Sequence, residues 1–152
     1  INLPWPLSIQ RIRDELGLHA VHVVNDFEAV AHAATHMDES QVLQLAGPAE
    51  ATPGPVLIVG PGTGLGAAVW IPSGKCSVVL ATEAGQAALA PTTELEIAVL
   101  QQMLREHSHV SIEHILSGPG LLKLYRALCA LRGTMPAHAT PDAVSAAACW
   151  IT

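Results

Sequence analysis

The sequence contains few aromatic and few basic residues. Only 3% of its 152 residues are Phe, Trp or Tyr although 50% are hydrophobic, so a core must be built mainly from Ala, Leu, Val and Ile. Seven Lys and Arg stand against 13 Asp and Glu, which gives a formal net charge of -6 at pH 7. A protein that binds nucleic acid neutralises its phosphates with clustered Lys and Arg side chains. The composition therefore argues against a nucleic-acid partner.

Long apolar runs and paired cysteines are also missing. No run reaches the roughly 20 residues needed to span a bilayer, and no basic segment followed by an apolar one opens the chain. We therefore expect a cytoplasmic protein with no membrane partner. Cys76, Cys129 and Cys149 form no C-x-x-C pair, so neither a zinc site nor a thioredoxin-type motif is predicted. Free buried thiols are expected instead. The first residue is Ile1 instead of Met, so we expect a piece of a longer protein.

A glycine-rich stretch, VLIVGPGTGLGAAVW at 56–70, dominates the middle of the chain. Its first four residues predict a buried strand, and glycines follow at 60, 62, 64 and 66. The pattern also fits the dinucleotide fingerprint, but that fingerprint requires a helix to begin in the loop. Here the following residues predict a strand, a turn at 72–75 and another strand at 76–80. A nucleotide-binding Rossmann unit is therefore disfavoured, and without a following Gly-Lys-Ser/Thr so is a Walker A loop.

The glycines are instead predicted to join two antiparallel strands. Backbone N–H groups in such a loop can bind phosphate or sugar oxygens. An ordinary glycine-rich hairpin is an equally good interpretation of this stretch alone.

Two acids follow predicted strands. The segment 19–24 predicts a strand that runs into Asn25 and Asp26, and a helix is predicted over 27–36. Ligands of open α/β sheets bind where strands end. Capping the helix is nevertheless the commoner role for Asp26, and the residues alone favour it. Glu83 stands in the same position after the last predicted strand of the glycine-rich region.

Further helices are predicted on both sides of this region. Capping signals place one at 9–16 after Ser8, one that is capped by Thr92 or Thr93 and runs to about 107, one at 121–132 and one at 143–150, with a short helical turn at 111–116. The segment 37–55 is predicted as a loop with a domain junction near 36–40. The fold class predicted from the residues is α/β, with an antiparallel three-strand meander flanked by helices. A row formed by Glu28, His32 and His36 is interpreted as a solvated face, so no metal site is predicted.

Five segments together resemble the bacterial glucokinase family. They are Asn2-x-x-Trp5 before a helix, VNDFEAV at 24–30, GPGTGLG at 60–66, Thr82-Glu83-x-Gly85 and LSGPGL at 116–121. Each is weak alone, but their order and spacing are specific. The resemblance implies the actin-like, ribonuclease H-like ATPase fold, of which this chain would be the central portion. Residues 1–36 would end the small α/β domain, and 37–152 would form the first part of the large domain.

The resemblance also implies roles for individual residues. Asp26 would be the catalytic base that takes the proton from the 6-hydroxyl of glucose. The remaining implied contacts are Asn25, Glu83, Gln86 and Glu113 to the sugar, and Gly62, Thr63 and Gly64 to the transferred phosphoryl group and the sugar. A sugar needs several such groups because each hydroxyl both donates and accepts hydrogen bonds.

The resemblance implies a reaction that uses ATP and Mg²⁺, with glucose or a similar hexose as the partner. It is also compatible with a homodimer. However, neither the Asp-x-Gly-Gly-Thr phosphate loop nor the Gly-Gly adenosine segment of the family occurs in these 152 residues. We therefore expect the isolated chain to be inactive. Glu83-Ala84-Gly85-Gln86 also departs from the usual Glu-Gly-Gly-His, and Ala87-Ala88-Leu89 from Val-Asp-Phe. The alternative is a non-catalytic sugar-binding or regulatory relic of a sugar kinase.

Overall fold

The computed structural model describes residues 6–48, 53–74 and 76–148. Within them the helices and strands follow in the order α1 (Ile9–Leu16), α2 (Asp26–Ala34), β1 (Val56–Pro61), β2 (Leu65–Ser73), β3 (Cys76–Thr82), α3 (Glu94–Met103), α4 (Gly118–Leu131) and α5 (Pro141–Ala148). Single 3-10 turns lie at Glu39–Gln41, Ala84–Gln86 and Ile112–His114.

The three strands form the predicted antiparallel meander in the order β1-β2-β3. The β1–β2 register runs from Val56 opposite Trp70 to Pro61 opposite Leu65. The β2–β3 hairpin turns at Gly74, whose φ of 61° lies in the left-handed region that favours glycine. Because β2 begins directly after the glycine loop, no helix emerges there, and the dinucleotide-binding interpretation is excluded.

Local capping signals predicted the starts of α1 and α3 correctly, whereas α2, α4 and α5 begin one, three and two residues before the predicted positions 27, 121 and 143. Ser8 accepts a hydrogen bond from the Arg11 N–H at 3.2 Å and caps α1. Thr93 and Glu96 form the predicted capping box of α3. Hydrogen bonds to Glu96, above all from the Thr92 backbone N–H, lower the pKa of this carboxyl group. These contacts are readable from the sequence because they join residues three or four apart.

The predicted strand at 19–24 is wrong. No strand is formed there, because no neighbouring strand pairs with this segment among the described residues. Val23 and Val24 are accordingly 45% and 46% exposed. The β-branched residues of this segment therefore have the propensity for a strand, but no neighbouring strand provides the hydrogen bonds that a strand needs.

Two helix ends also differ from the prediction. Helix α2 runs from Asp26 to Ala34 instead of over 27–36, and α3 ends at Met103 instead of near 107. The chain leaves α3 through tightened hydrogen bonds such as Arg105 N–H to the Gln102 oxygen. The predicted end of the last helix at 149–150 lies outside the described residues, where α5 is described to Ala148.

The buried core lies between α3 and α4. Val99, Met103, Val110 and Ala127 form it, and each is at most 6% exposed. A second contact packs α2 on the sheet, where Ala31 and Ala68 are both fully buried.

The prediction of buried thiols holds for one cysteine. Cys129 is free and buried, whereas Cys76 is free and exposed at the start of β3, so the prediction is wrong for Cys76. Its position explains the difference, because it lies next to the hairpin turn of β2 and β3. Cys149 lies outside the described residues.

Candidate functional site

A cleft of about 410 Å³ lies between the start of α2, the loop joining β1 to β2 and the end of β3. Its wall includes seven of the eight residues that the sequence singled out: Asn25, Asp26, Gly62, Thr63, Gly64, Glu83 and Glu113. Gln86 is not on the wall but is hydrogen-bonded to Glu113. Residues up to 88 positions apart therefore converge, from Asn25 to Glu113.

Asn25, and not Asp26, caps helix α2. The Oδ1 atom of Asn25 accepts hydrogen bonds from the Phe27 N–H at 2.8 Å and the Glu28 N–H at 3.3 Å. Asp26 is the first residue of the helix, and one of its carboxylate oxygens also accepts from the Phe27 N–H, at 2.9 Å. The other oxygen has no hydrogen bond to the described residues. The prediction that Asp26 serves as the N-cap is therefore corrected, and its carboxylate is exposed on the cleft wall.

The loop between β1 and β2 is fixed by its own backbone and by α4. The Gly62 N–H donates to the Gly64 oxygen at 2.8 Å, and the Gly62 oxygen accepts from the Gly118 N–H at 2.8 Å. The N–H groups of Thr63 and Gly64 have no acceptor among the described residues. They are donors that an anion or a sugar oxygen in the cleft can use.

Neither Gly62 nor Gly64 in this loop has a left-handed φ, and only Gly64 is required for space, since a Cβ atom at Gly62 would meet nothing within 4 Å. A Cβ atom at Gly64 would lie 2.6 Å from the Oε2 atom of Glu113. Any side chain at position 64 would therefore displace that carboxylate.

Glu113 connects the loop to the turn that follows β3. Its Oε2 accepts from the Leu65 N–H at 2.8 Å, and its Oε1 accepts from the Nε2 of Gln86 at 3.1 Å. A carboxylate can only accept, so the amide of Gln86 must present its nitrogen to Glu113. Both carboxylate oxygens retain lone pairs for a further donor.

Backbone pairing brings Glu113 to this position. The Leu89 N–H donates to the Val110 oxygen and the Ile112 N–H to the Ala87 oxygen, both at 2.9 Å. This short bridge lays the segment before Glu113 alongside the segment after β3. Gly120 then lets α4 approach closely, since a Cβ there would lie 2.9 Å from the Glu113 carbonyl oxygen.

Glu83 is exposed where β3 ends. It precedes the 3-10 turn Ala84–Gln86, but its side chain forms no cap hydrogen bond to that turn. Thr82 fixes the strand end by donating from its hydroxyl to the Ala67 oxygen at 3.0 Å. The Glu83 carboxylate is thus presented to the cleft by a rigid strand end.

His114, to which the sequence assigned no role, supports the turn that carries Glu113. Its Nδ1 lies 3.0 Å from the Ser111 backbone nitrogen and 2.9 Å from the Ser111 hydroxyl, and Ser111 is fully buried. The Ser111 N–H is a donor, so Nδ1 must be the acceptor. Burial, followed by the nearby positive charge of Lys123, lowers the pKa of His114.

Metal and membrane sites are not evident in the described residues. No cluster of three or more His, Cys, Asp or Glu side chains with the geometry of a metal site occurs in 6–48, 53–74 and 76–148. Within the same ranges, no helix has the length and apolarity to cross a bilayer.

Comparison with known proteins identifies many relatives. The Glucokinase family profile matches residues 1–151. A "Glucokinase-like protein" of Xylella fastidiosa strain 9a5c is 59% identical over 147 residues, which are 97% of this chain and 44% of the relative. A "Glucokinase" of Paramagnetospirillum magneticum is 39% identical over 145 residues, 95% of this chain and 45% of the relative.

Solved structures agree with this family. A glucokinase from an Antarctic psychrotroph superposes with a TM-score of 0.82 at 33% identity, covering 93% of this chain and 44% of the other. A glucokinase from Balamuthia mandrillaris in complex with glucose gives a TM-score of 0.63 at 24% identity, covering 81% and 37%. The second similarity concerns the fold alone.

The sugar-kinase fold that the motifs implied is confirmed by these structural matches, and the chain represents part of it. It spans 44% of the length of the Xylella relative. Because the family profile covers nearly every residue, the chain belongs to the glucokinase family.

Proposed function

We propose that this chain is the sugar-binding, central part of an ATP-dependent kinase that phosphorylates glucose at its 6-hydroxyl. The observation that carries the proposal is the convergence of one unpartnered carboxylate oxygen on Asp26, two further acids and a loop of free N–H donors on a single cleft. Phosphoryl transfer depends mainly on positioning and on stabilisation of charge, and these groups supply both.

In this proposal Asp26 is the general base. The 6-hydroxyl oxygen of the sugar attacks the γ-phosphorus of ATP, its proton passes to the Asp26 carboxylate, and ADP leaves. The free oxygen of Asp26 suits this role, because the other oxygen is held by the Phe27 N–H at 2.9 Å. That hydrogen bond orients the carboxylate at the first turn of α2.

The other cleft residues bind the substrates. Glu83 and Glu113 accept from sugar hydroxyls, and Asn25 can donate from its amide nitrogen, since its Oδ1 is used by the helix cap. The Thr63 and Gly64 N–H groups face the transferred phosphoryl group, with Gly62 fixing the loop. Gln86 acts through Glu113.

This chain supplies only part of the binding site that ATP and Mg²⁺ would need. The loop donors at 62–64 suit a phosphoryl group. The described residues contain no group of three or more His, Cys, Asp or Glu placed to hold a metal ion, and the Gly-Gly segment that the resemblance implies for adenosine does not occur in the sequence. When bound, Mg²⁺ would neutralise charge on the phosphates of ATP.

The test uses the protein expressed from the complete reading frame. Asp26→Asn should lower kcat by about a hundredfold or more, the usual scale for losing a general base, while the Kd for glucose changes by less than about tenfold. Asp142→Asn is the matched control, because Asp142 is likewise an acid in the first turn of a helix but lies outside the cleft. Unchanged turnover in Asp26→Asn would overturn the assignment of the base.

A second candidate function is a sugar-binding or regulatory protein without turnover. It is favoured by Ala84 and Gln86, which depart from the family pattern beside Glu83. A coupled assay for ADP release with a panel of hexoses separates the two. Sugar binding without ADP release from any hexose would favour this second candidate.

A further inference from the structure

The only phenylalanine of the chain directly follows Asp26. Its ring lies against the sheet at Gly60 and Gly66, which are opposite each other in the β1–β2 register. Side chains of opposed residues lie on the same face, with Cβ atoms about 5 Å apart. Two opposed glycines therefore leave a gap about one ring wide on that face.

The ring of Phe27 fills this gap. A Cβ atom at Gly60 would lie 2.5 Å from Cζ and 2.9 Å from Cε1 of the ring, and a Cβ at Gly66 would overlap Cε2 and Cδ2. Neither glycine has a left-handed φ, so alanine could adopt both backbones without strain. A substitution at either position would act on the ring and not on the backbone angles.

The same ring touches both strands at the base of the glycine loop. Gly60 and Gly66 each lie two residues from the loop segment 62–64. On the other side, the Phe27 backbone N–H is held by Asn25 and Asp26 at 2.8 and 2.9 Å. One residue thus joins the start of α2 to the strands from which the loop emerges.

We propose that Phe27 is a positioning residue, whose contact with Gly60 and Gly66 sets the distance between the Asp26 carboxylate and the loop 62–64. The inference rests on the proposed function, in which this distance separates the base from the transferred phosphoryl group. A reaction of this kind is sensitive to placement, since a misplacement of about 1 Å can cost about a hundredfold in rate.

The test is a double-mutant cycle on the protein from the complete reading frame. Gly66→Ala should lower kcat by about tenfold to a hundredfold, with the Kd for glucose changed by less than about tenfold. Phe27→Ala should lower kcat to a similar extent. If Gly66→Ala lowers kcat by displacing the Phe27 ring, it should cause almost no further decrease in kcat when Phe27 is already replaced by alanine. Gly54→Ala is the control, because a Cβ there meets nothing within 4 Å and the φ of Gly54 is not left-handed.

Two results would overturn the inference: an unchanged kcat in Gly66→Ala, or the same fold reduction with and without the Phe27 ring. If Phe27→Ala fails to fold, Phe27→Leu replaces it. The leucine side chain is smaller than the ring, so Gly66→Ala should then lower kcat by a smaller factor than it does in the wild type. An equal cost would count against the contact.

A second readout separates this inference from the proposed function. Backbone amide resonances of Asn25, Asp26 and Glu28 should shift in Gly66→Ala and stay unshifted in Gly54→Ala. A wild-type protein without turnover would overturn the proposed function alone, whereas unshifted resonances in Gly66→Ala would overturn the positioning contact alone.

Discussion

At the scale of single residues, the neighbours Asn25 and Asp26 divide two tasks that the sequence could not separate. Either side chain can cap a helix. In the structure Asn25 accepts both backbone N–H groups of the cap, and Asp26 lies on the cleft wall with one oxygen that has no hydrogen bond to the described residues. Capping by Asn25 thus frees the carboxylate for the chemistry that we propose.

Gln86 provides a residue-scale prediction. Its amide donates to Glu113 at 3.1 Å in an exposed pair, so Gln86→Ala should weaken glucose binding by about threefold to tenfold, the scale of one ordinary hydrogen bond. Gln86→Glu should be worse, because a second carboxylate cannot donate and would repel Glu113. Titration calorimetry with glucose measures the Kd of the two variants and so shows which of them binds more weakly.

Gln101→Ala provides the control for this comparison, since Gln101 is exposed on α3 and lies outside the cleft. Glucose binding as tight in Gln86→Glu as in the wild type would contradict the role of Gln86 as a hydrogen-bond donor.

At the scale of elements, the 3-10 turn Ile112–His114 carries both Glu113 and the histidine that stabilises the turn. Nδ1 of His114 accepts from the Ser111 N–H, so a proton on Nδ1 would break this hydrogen bond. Burial, the charge of Lys123 and then the neighbouring His107 and His109 lower the pKa of His114, while Glu113 raises it less.

This gives a prediction for the dependence of stability on pH. The pKa of His114 is lower in the folded protein than the ordinary value of about 6.5, so the unfolded chain takes up the proton first as the pH falls. The free energy of unfolding should therefore decrease from about pH 6.5 downwards, until the pH passes the folded pKa. Above about pH 6.5 this contribution is fully present.

Denaturant unfolding at about pH 7.5 and pH 5.5 checks this prediction. His114→Gln cannot titrate, so it should lose less stability between the two pH values than the wild type. His36→Gln, which removes an exposed histidine beyond the end of α2, should behave as the wild type does. An equal loss in wild type and His114→Gln would show that another group causes the pH dependence.

The sequence predicted elements where the determining contacts are local. The meander follows from β-branched runs around glycine and turn residues, and the caps at Ser8 and Thr93 join residues three apart. The strand at 19–24 was wrong because strand formation needs a partner that propensity does not reveal. The hydrogen bond from the Leu65 N–H to Glu113 spans 48 positions, and no local pattern signals it.

At the scale of the whole molecule, the candidate site is assembled from four parts of the chain. The start of α2, the β1–β2 loop, the end of β3 and the turn around Glu113 meet at one cleft, although Asn25 and Glu113 are 88 positions apart. The resemblance to a family predicted that these residues form one site. Composition and periodicity alone could not predict this. The domain division at 36–37 stays a prediction.

The central claim is that this cleft binds a hexose. A titration of the isotope-labelled protein from the complete reading frame with glucose, followed by backbone amide resonances, tests it most directly. We predict saturable shifts at Asp26, Thr63, Glu83 and Glu113, and none at Gln102 and Lys123, which line a separate groove between α3 and α4. Shifts confined to that groove, or no shifts at millimolar glucose, would contradict the account.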